Sequence, residues 1–375
     1  MRETGIYQIL GNVRFFIPHV LPPRNPPFEL TVEMMDLYGQ ANFALGKLNE
    51  ITLKMPDQER FIKGYVIKEA LLSSAIEGIH TTLIDVFTHP LGDGAKISKE
   101  TQLVLNYTKA LDAALKMIEQ DNLPLIIRVI LKAHEELMSA GAGESADPGQ
   151  FRKQSVRVGS LVPPPAPEIP RLMGELERYI NEPSELPPLI QAGLAHVQFE
   201  TIHPFLDGNG RIGRLLIVLM LIDSNLLHSP ILYPSYYFKK HHAEYYQKLD
   251  AVRTNGDYEG WIVYYLTAVR DSALDAYTRA QEIETLENKL KNIIQCHDDF
   301  SKIQDTATLA LNILFRQPIM SVAQMAQQVG KAYNTAQTIL SVFVLHGVVS
   351  ENIVNKRNKV YRFDQYLALL EKEYE

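Results

Sequence analysis

The sequence predicts a mainly α-helical protein of two domains, and three observations carry that prediction. Apolar residues recur at helical spacing through most of residues 31–286, and the pattern changes to a compact second unit beyond Asp298. The 375 residues, 46% of them hydrophobic, suffice for two cores at roughly 150 residues per domain. The chain therefore divides into residues 1–298 and 299–375. Its counts also exclude several classes. With 37 Lys plus Arg against 44 Asp plus Glu, the net charge of −7 argues against binding long nucleic acid over the whole surface. The single cysteine, Cys296, cannot form an internal disulfide and removes cysteine-rich zinc modules. No stretch of about 18 uncharged apolar residues occurs, and the N-terminus lacks a basic segment followed by an apolar one. A soluble, cytoplasmic protein is expected.

Taken in order, residues 1–30 hold Pro18, Pro22, Pro23, Pro26 and Pro27, which deny helix and ladder hydrogen bonds and predict an extended arm. Met35, Leu37, Phe43, Leu45 and Leu48 give Thr31–Lys54 helical spacing, and a second helix is expected over Phe61–Ile79. Two more follow at Lys99–Glu119 and Leu123–Met138, before a loop marked by Gly141, Gly143, Pro148 and Gly149. From Gly149 to Val162 the alternation of Phe151, Arg152, Val156 and Val158 predicts a short β-hairpin, closed off by Pro163, Pro164, Pro165 and Pro167. Helices then return at Ile169–Tyr179, Leu189–Thr201, Asn209–Leu227, Lys239–Arg253 and Tyr258–Leu286.

The second unit reads as helices Asp305–Phe315, Ser321–Val329 and Tyr333–Leu345, then strands Val348–Ile353 and Lys359–Phe363 joined by the turn Asn355–Asn358. That is the outline of a winged helix-turn-helix. Its third helix has neither Lys nor Arg, although Lys331 precedes it and Lys356, Arg357, Lys359 and Arg362 sit on the wing. Protein docking or a homodimer is therefore favoured for this unit, with wing-led DNA contact as the alternative.

The densest chemistry lies in the run His203, Pro204, Phe205, Leu206, Asp207, Gly208, Asn209, Gly210, Arg211, Ile212, Gly213, Arg214. Pro204 disfavours helix at His203, so the histidine should end one buried helix while Asn209–Ile212 begins the next. A helix N-terminus offers free N–H donors and partial positive charge, and Gly208 and Gly210 let an anion approach the backbone. Arg211 and Arg214, three apart, can grip successive phosphates. Asp207 suits a magnesium ion bridging them, and a neutral His203 suits a general base. His196, Glu200 and His203 also fall at i, i+4 and i+7, which sets a metal triad beside the phosphate reading.

This run resembles the signature of the Fic family, His-Pro-Phe-x-(Asp/Glu)-Gly-Asn-Gly-Arg-x-x-Arg, at every fixed position. The resemblance implies a Fic-type helical bundle with a hairpin flap that transfers AMP from ATP, with Mg2+, to a Ser, Thr or Tyr hydroxyl. It implies that His203 deprotonates the target, that Asp207 binds magnesium, and that Asn209, Arg211 and Arg214 meet the α-, β- and γ-phosphates. Ser73 and Glu77, four apart on the helix at about 61–79, resemble the family's inhibitory motif (Ser/Thr)-x-x-x-Glu-(Gly/Asn), which implies pairing of Glu77 with Arg214. The hairpin at 149–162 resembles the family's flap, implying that a target segment docks there. Tyr236 and Tyr246, from a cluster with Tyr233, Tyr237 and Tyr245, are the candidates for adenine or ribose contact. Arg253, Gly256, Asp257 and Trp261 resemble another family segment and suggest helix packing. Three alternatives stand beside AMP transfer: removal of AMP, transfer of another nucleotide or phosphocholine, and a DNA-binding regulator whose core senses nucleotide.

Overall fold

The computed structural model describes residues 2–54, 58–88, 97–139, 146–355 and 358–372. Gly141 and Gly143 of the expected loop, and Lys356 and Arg357 of the expected wing, lie outside the described residues.

The chain opens on a β-hairpin where an extended arm is expected. Strand β1 (Gly5–Leu10) pairs antiparallel with β2 (Val13–Pro18), and Leu10 faces Val13 across Gly11, whose φ is +61°. The prolines explain the error. The first of them, Pro18, is the last residue of β2, so the preceding residues keep every N–H the ladder needs. Phe15, Phe16 and Ile17 of β2 are buried, and Arg2 anchors the segment by donating both terminal nitrogens to Glu259 at 2.7 Å.

The helical body runs α1 (Val32–Lys54), α2 (Gln58–Ile76), α3 (Leu83–Thr88), α4 (Lys99–Leu115), α5 (Ile127–Leu137), α6 (Ile169–Asn181), α7 (Pro188–Ile202), α8 (Asn209–Asp223), α9 (Ser235–Lys240), α10 (His242–Asn255) and α11 (Tyr258–Cys296). Helices α7 and α8 are apolar on nearly every side, so they sit at the centre, flanked by α2, α4, α5, α6, α10 and α11. Gly193 allows α11 to close on α7, because a Cβ there would stand 2.6 Å from the Tyr265 ring. Fully buried Trp261 then donates to the Gly193 carbonyl at 2.8 Å. Truncating such a side chain costs about 3–5 kcal/mol. Gly256 ends α10 in the left-handed region and Asp257 caps α11 by accepting from Gly260 N–H, so this segment packs helices as its sequence suggests.

The expected hairpin at 149–162 is not built of strands. Val158 and Leu161 exchange two 2.9 Å hydrogen bonds around Gly159, but no ladder extends from that turn. The flanking backbone is engaged elsewhere: Arg152 N–H donates to the Pro204 carbonyl, and Val162 accepts from Phe16 N–H, both at 2.9 Å.

Beyond α11 one helical turn (Asp298–Phe300) leads to α12 (Gln304–Arg316), β3 (Ile319–Ser321), α13 (Val322–Val329), α14 (Tyr333–Leu345), β4 (Ser350–Asn355), β5 (Asn358–Arg362) and α15 (Asp364–Glu371). The three strands are antiparallel in the order β3-β5-β4, and Ser321 opens α13 with a reciprocal cap on Gln324. Strand β3 and helix α15 add to the expected outline. Both α12 and α15 pack on α2 and α11, so the C-terminal unit abuts the helix that leads into Glu77.

Candidate active site

His203 ends α7 in the left-handed region (φ 52°, ψ 61°), and the proline that follows it disfavours any continuation of the right-handed helix. A non-glycine residue there is strained and must be held by its surroundings. Arg152 supplies much of that hold. Its guanidinium, 2% exposed, donates to the carbonyls of His203 (2.8 Å), Gln154 (2.9 Å) and Pro164 (2.7 Å), and burial draws its pKa down to about 10. Burial also pulls the His203 imidazole down to about 4. At pH 7 His203 is therefore neutral and able to accept a proton.

The loop beyond is fastened from two sides. The Asn209 side chain accepts from Phe205 N–H (2.8 Å) and donates to the Phe205 carbonyl (2.9 Å). His134, stacked on Phe205 at 3.7 Å, accepts from Gly149 N–H through Nδ1 (3.0 Å). That fixes its proton on Nε2, which donates to the Asp207 carbonyl at 3.1 Å. Gly208 takes φ +77° to start α8, and the exposed Asp207 carboxylate accepts from Gly208 N–H at 2.6 Å.

Arg211 and Arg214 lie on α8, each only 1% exposed. Arg214 donates Nε to Ser73 Oγ, and Nη2 to the Ser73 carbonyl and to Glu77 Oε1, all at 2.9 Å. Burial opposes its charge, but Glu77 more than reverses this and its pKa rises. The Glu77 carboxyl, pushed up by burial, is pulled below its ordinary value by Arg214 and Arg211. Glu77 is the first residue beyond α2, and Gly210 makes room for it: a Cβ at 210 would stand 2.0 Å from Glu77 Oε1. Arg211 is less satisfied. Its Nε lies 3.5 Å from Glu77 Oε2 and its Nη2 3.5 Å from Asp207 Oδ1, while Nε and Nη1 are buried without hydrogen-bond partners among the described residues. Buried N–H donors left without acceptors cost about 1–3 kcal/mol each, so this guanidinium has donors to offer an anion.

The structure thus joins His203, Asp207, Gly208, Asn209, Gly210, Arg211, Arg214, Ser73 and Glu77 in one cluster. Tyr246 is beside it, edge-on to Tyr245 at 5.2 Å and within the fields of Arg214 and Glu77. Tyr236 is buried instead near Lys68, 5.9 Å from its ring centre, and edge-on to Tyr233. The metal triad does not form: His196 donates Nδ1 to the Gly213 carbonyl and accepts from the Tyr245 hydroxyl, both at 2.8 Å, leaving neither nitrogen for a metal. Glu200 packs at Gly213, where burial raises its pKa to about 7. Sequence reasoning missed Arg152 and His134 as parts of the site. Their partners are backbone carbonyls and amides, which leave no residue pattern to find.

The Fic/DOC family model matches residues 124–221, and that of the Fic/DOC family N-terminal region matches residues 35–116. Proteins named protein adenylyltransferase Fic from Drosophila erecta and Drosophila melanogaster are each 30% identical over 214 residues, 55% of this chain and 40% of theirs. The chain so spans about two fifths of the length of these curated relatives. A Fic family protein from Desulfovibrio desulfuricans G20 superposes with a TM-score of 0.55 at 23% identity, covering 90% of this chain and 97% of that one. Fic-1 from C. elegans gives 0.52 at 20% identity, covering 66% and 73%. At these identities the likeness is one of fold.

Proposed function

From the matches of residues 35–116 and 124–221 to the two Fic/DOC family models, we propose that this chain is a protein adenylyltransferase, moving AMP from ATP to a Ser, Thr or Tyr hydroxyl of a target or of itself, with Glu77 as its restraint. One observation carries the proposal. Two buried arginines in the first two turns of α8 meet a single carboxylate from just beyond α2, and Arg211 has two nitrogens without hydrogen-bond partners among the described residues. A triphosphate supplies the missing acceptors.

In this mechanism neutral His203 takes the proton of the target hydroxyl. The hydroxyl oxygen bonds to the α-phosphorus, the bond from that phosphorus to its bridging oxygen breaks, and pyrophosphate leaves carrying the displaced charge. Arg211 and Arg214, in the first two turns of α8, receive that charge, Arg214 once Glu77 releases it. Asp207, an exposed oxygen donor beside them, fits a magnesium ion, which would neutralise phosphate charge. Asn209 shapes the loop through Phe205, which supports a positioning part in place of side-chain contact with the α-phosphate. Of the tyrosines, Tyr246 is the better placed for the nucleoside. The turn around Gly159 remains the docking candidate for the target segment, and the single cysteine suits a cytoplasmic setting.

While Glu77 holds Arg214, a γ-phosphate cannot, so seating of ATP is opposed by an intact ion pair. The chemistry is tested with ATP labelled at the α- or the γ-phosphate. Label should reach protein from the α position only and vanish in His203→Ala; transfer from the γ position would make the chain a kinase and overturn the proposal.

A further inference from the structure

Three side chains outside the proposed reaction converge where α11 ends. His297 follows the last helical residue, Asp299 lies in the turn after it, and His346 caps the C-terminus of α14. His346 Nε2 is 3.0 Å and His297 Nδ1 3.3 Å from the same oxygen, Asp299 Oδ2. All three donor atoms lie within 4.8 Å of one another. With zinc–ligand bonds of about 2.0–2.1 Å, tetrahedral neighbours stand about 3.3 Å apart, close to the two edges that meet at Asp299 Oδ2. His297 Nδ1 also lies 3.5 Å from Asp299 N–H, a donor toward which it can turn a lone pair. A lone pair 3.3 Å from a carboxylate oxygen is unfavourable unless a cation lies between.

We propose that His297, Asp299 and His346 form a site for a zinc-class divalent transition metal. Two imidazoles and one carboxylate exclude the all-oxygen preference of magnesium and calcium, and the exposed rims of His297 and Asp299 leave the remaining positions to water. The ligands are already positioned. Buried Phe300, next to Asp299, packs 6.0 Å from Phe343 of α14 and 5.1 Å from the His346 ring. A metal here ties the end of the long helix to the end of α14, and so fastens the C-terminal unit to α11.

The test is a zinc titration of the untagged full chain after removal of metal, read by calorimetry and by thermal unfolding. Wild type should bind one equivalent and melt higher with zinc. His346→Ala, and separately the half-exposed His297→Ala, should each weaken binding at least tenfold and lose the thermal gain, while His203→Ala keeps both. No binding by wild type, unchanged binding in both variants at the junction, or loss of binding in His203→Ala would overturn the proposal.

Discussion

At the scale of single residues, one carboxylate, Glu77, faces two buried arginines, Arg211 and Arg214. Removing one partner of a buried ion pair leaves an uncompensated charge and costs about 3–5 kcal/mol. Glu77→Gly leaves Arg211 and Arg214 facing one another's charge, each 1% exposed. It should therefore melt below wild type without ligand, and ATP with magnesium should raise its melting temperature more than that of wild type. A ligand-free variant as stable as wild type, with no larger gain from ATP, would contradict the pairing. The two arginines were legible because the chemistry that needs them is compressed into twelve consecutive positions, and Glu77 because Ser73, Glu77 and Gly78 resemble a family motif. Arg152 was not. It lies in a stretch that reads as a strand, and its partners, the carbonyls of His203, Gln154 and Pro164, become neighbours only after folding.

At the scale of elements, α2 carries more than the approach to Glu77. Glu69, 3% exposed, accepts from Ser235 N–H at 3.2 Å and from the Ser235 and Tyr107 hydroxyls, and burial raises its pKa to about 8. A carboxyl raised from 4.5 contributes stability that is fully present below the unfolded pKa and is lost as pH rises through 8. Wild type should therefore lose about 2–4 kcal/mol relative to Glu69→Gln between pH 5 and pH 9 in urea unfolding. A constant difference between the two proteins across that range would refute the assignment. Long helices such as α1, α7 and α14 were legible from apolar spacing alone. The β1–β2 hairpin was obscured by the prolines that follow it, and the 149–162 segment alternates like a strand while its backbone bonds to β2 and to the loop after His203. Strand β3 is three residues long, and its pairing with β5 depends on residues some 40 positions away, beyond any local pattern.

At the scale of the whole molecule, the C-terminal unit is packed against α2, the helix that leads into Glu77. A Cβ at Gly64 of α2 would stand 2.9 Å from the Tyr366 hydroxyl of α15, and Lys372 pairs with Glu282 of α11 at 3.0 Å. Helix α11, which extends ten residues past its expected end at Leu286, joins both units. Among the described residues no helix is long and apolar enough to cross a membrane. The most direct test of a self-restrained AMP transferase is intact mass spectrometry of wild type, Glu77→Gly, and Glu77→Gly with His203→Ala, each incubated with saturating ATP and magnesium. Glu77→Gly should gain the mass of AMP, wild type far less, and the double variant none. Equal gain in wild type and Glu77→Gly would contradict the restraint, and no gain, or a gain that survives loss of His203, would contradict the transferase itself.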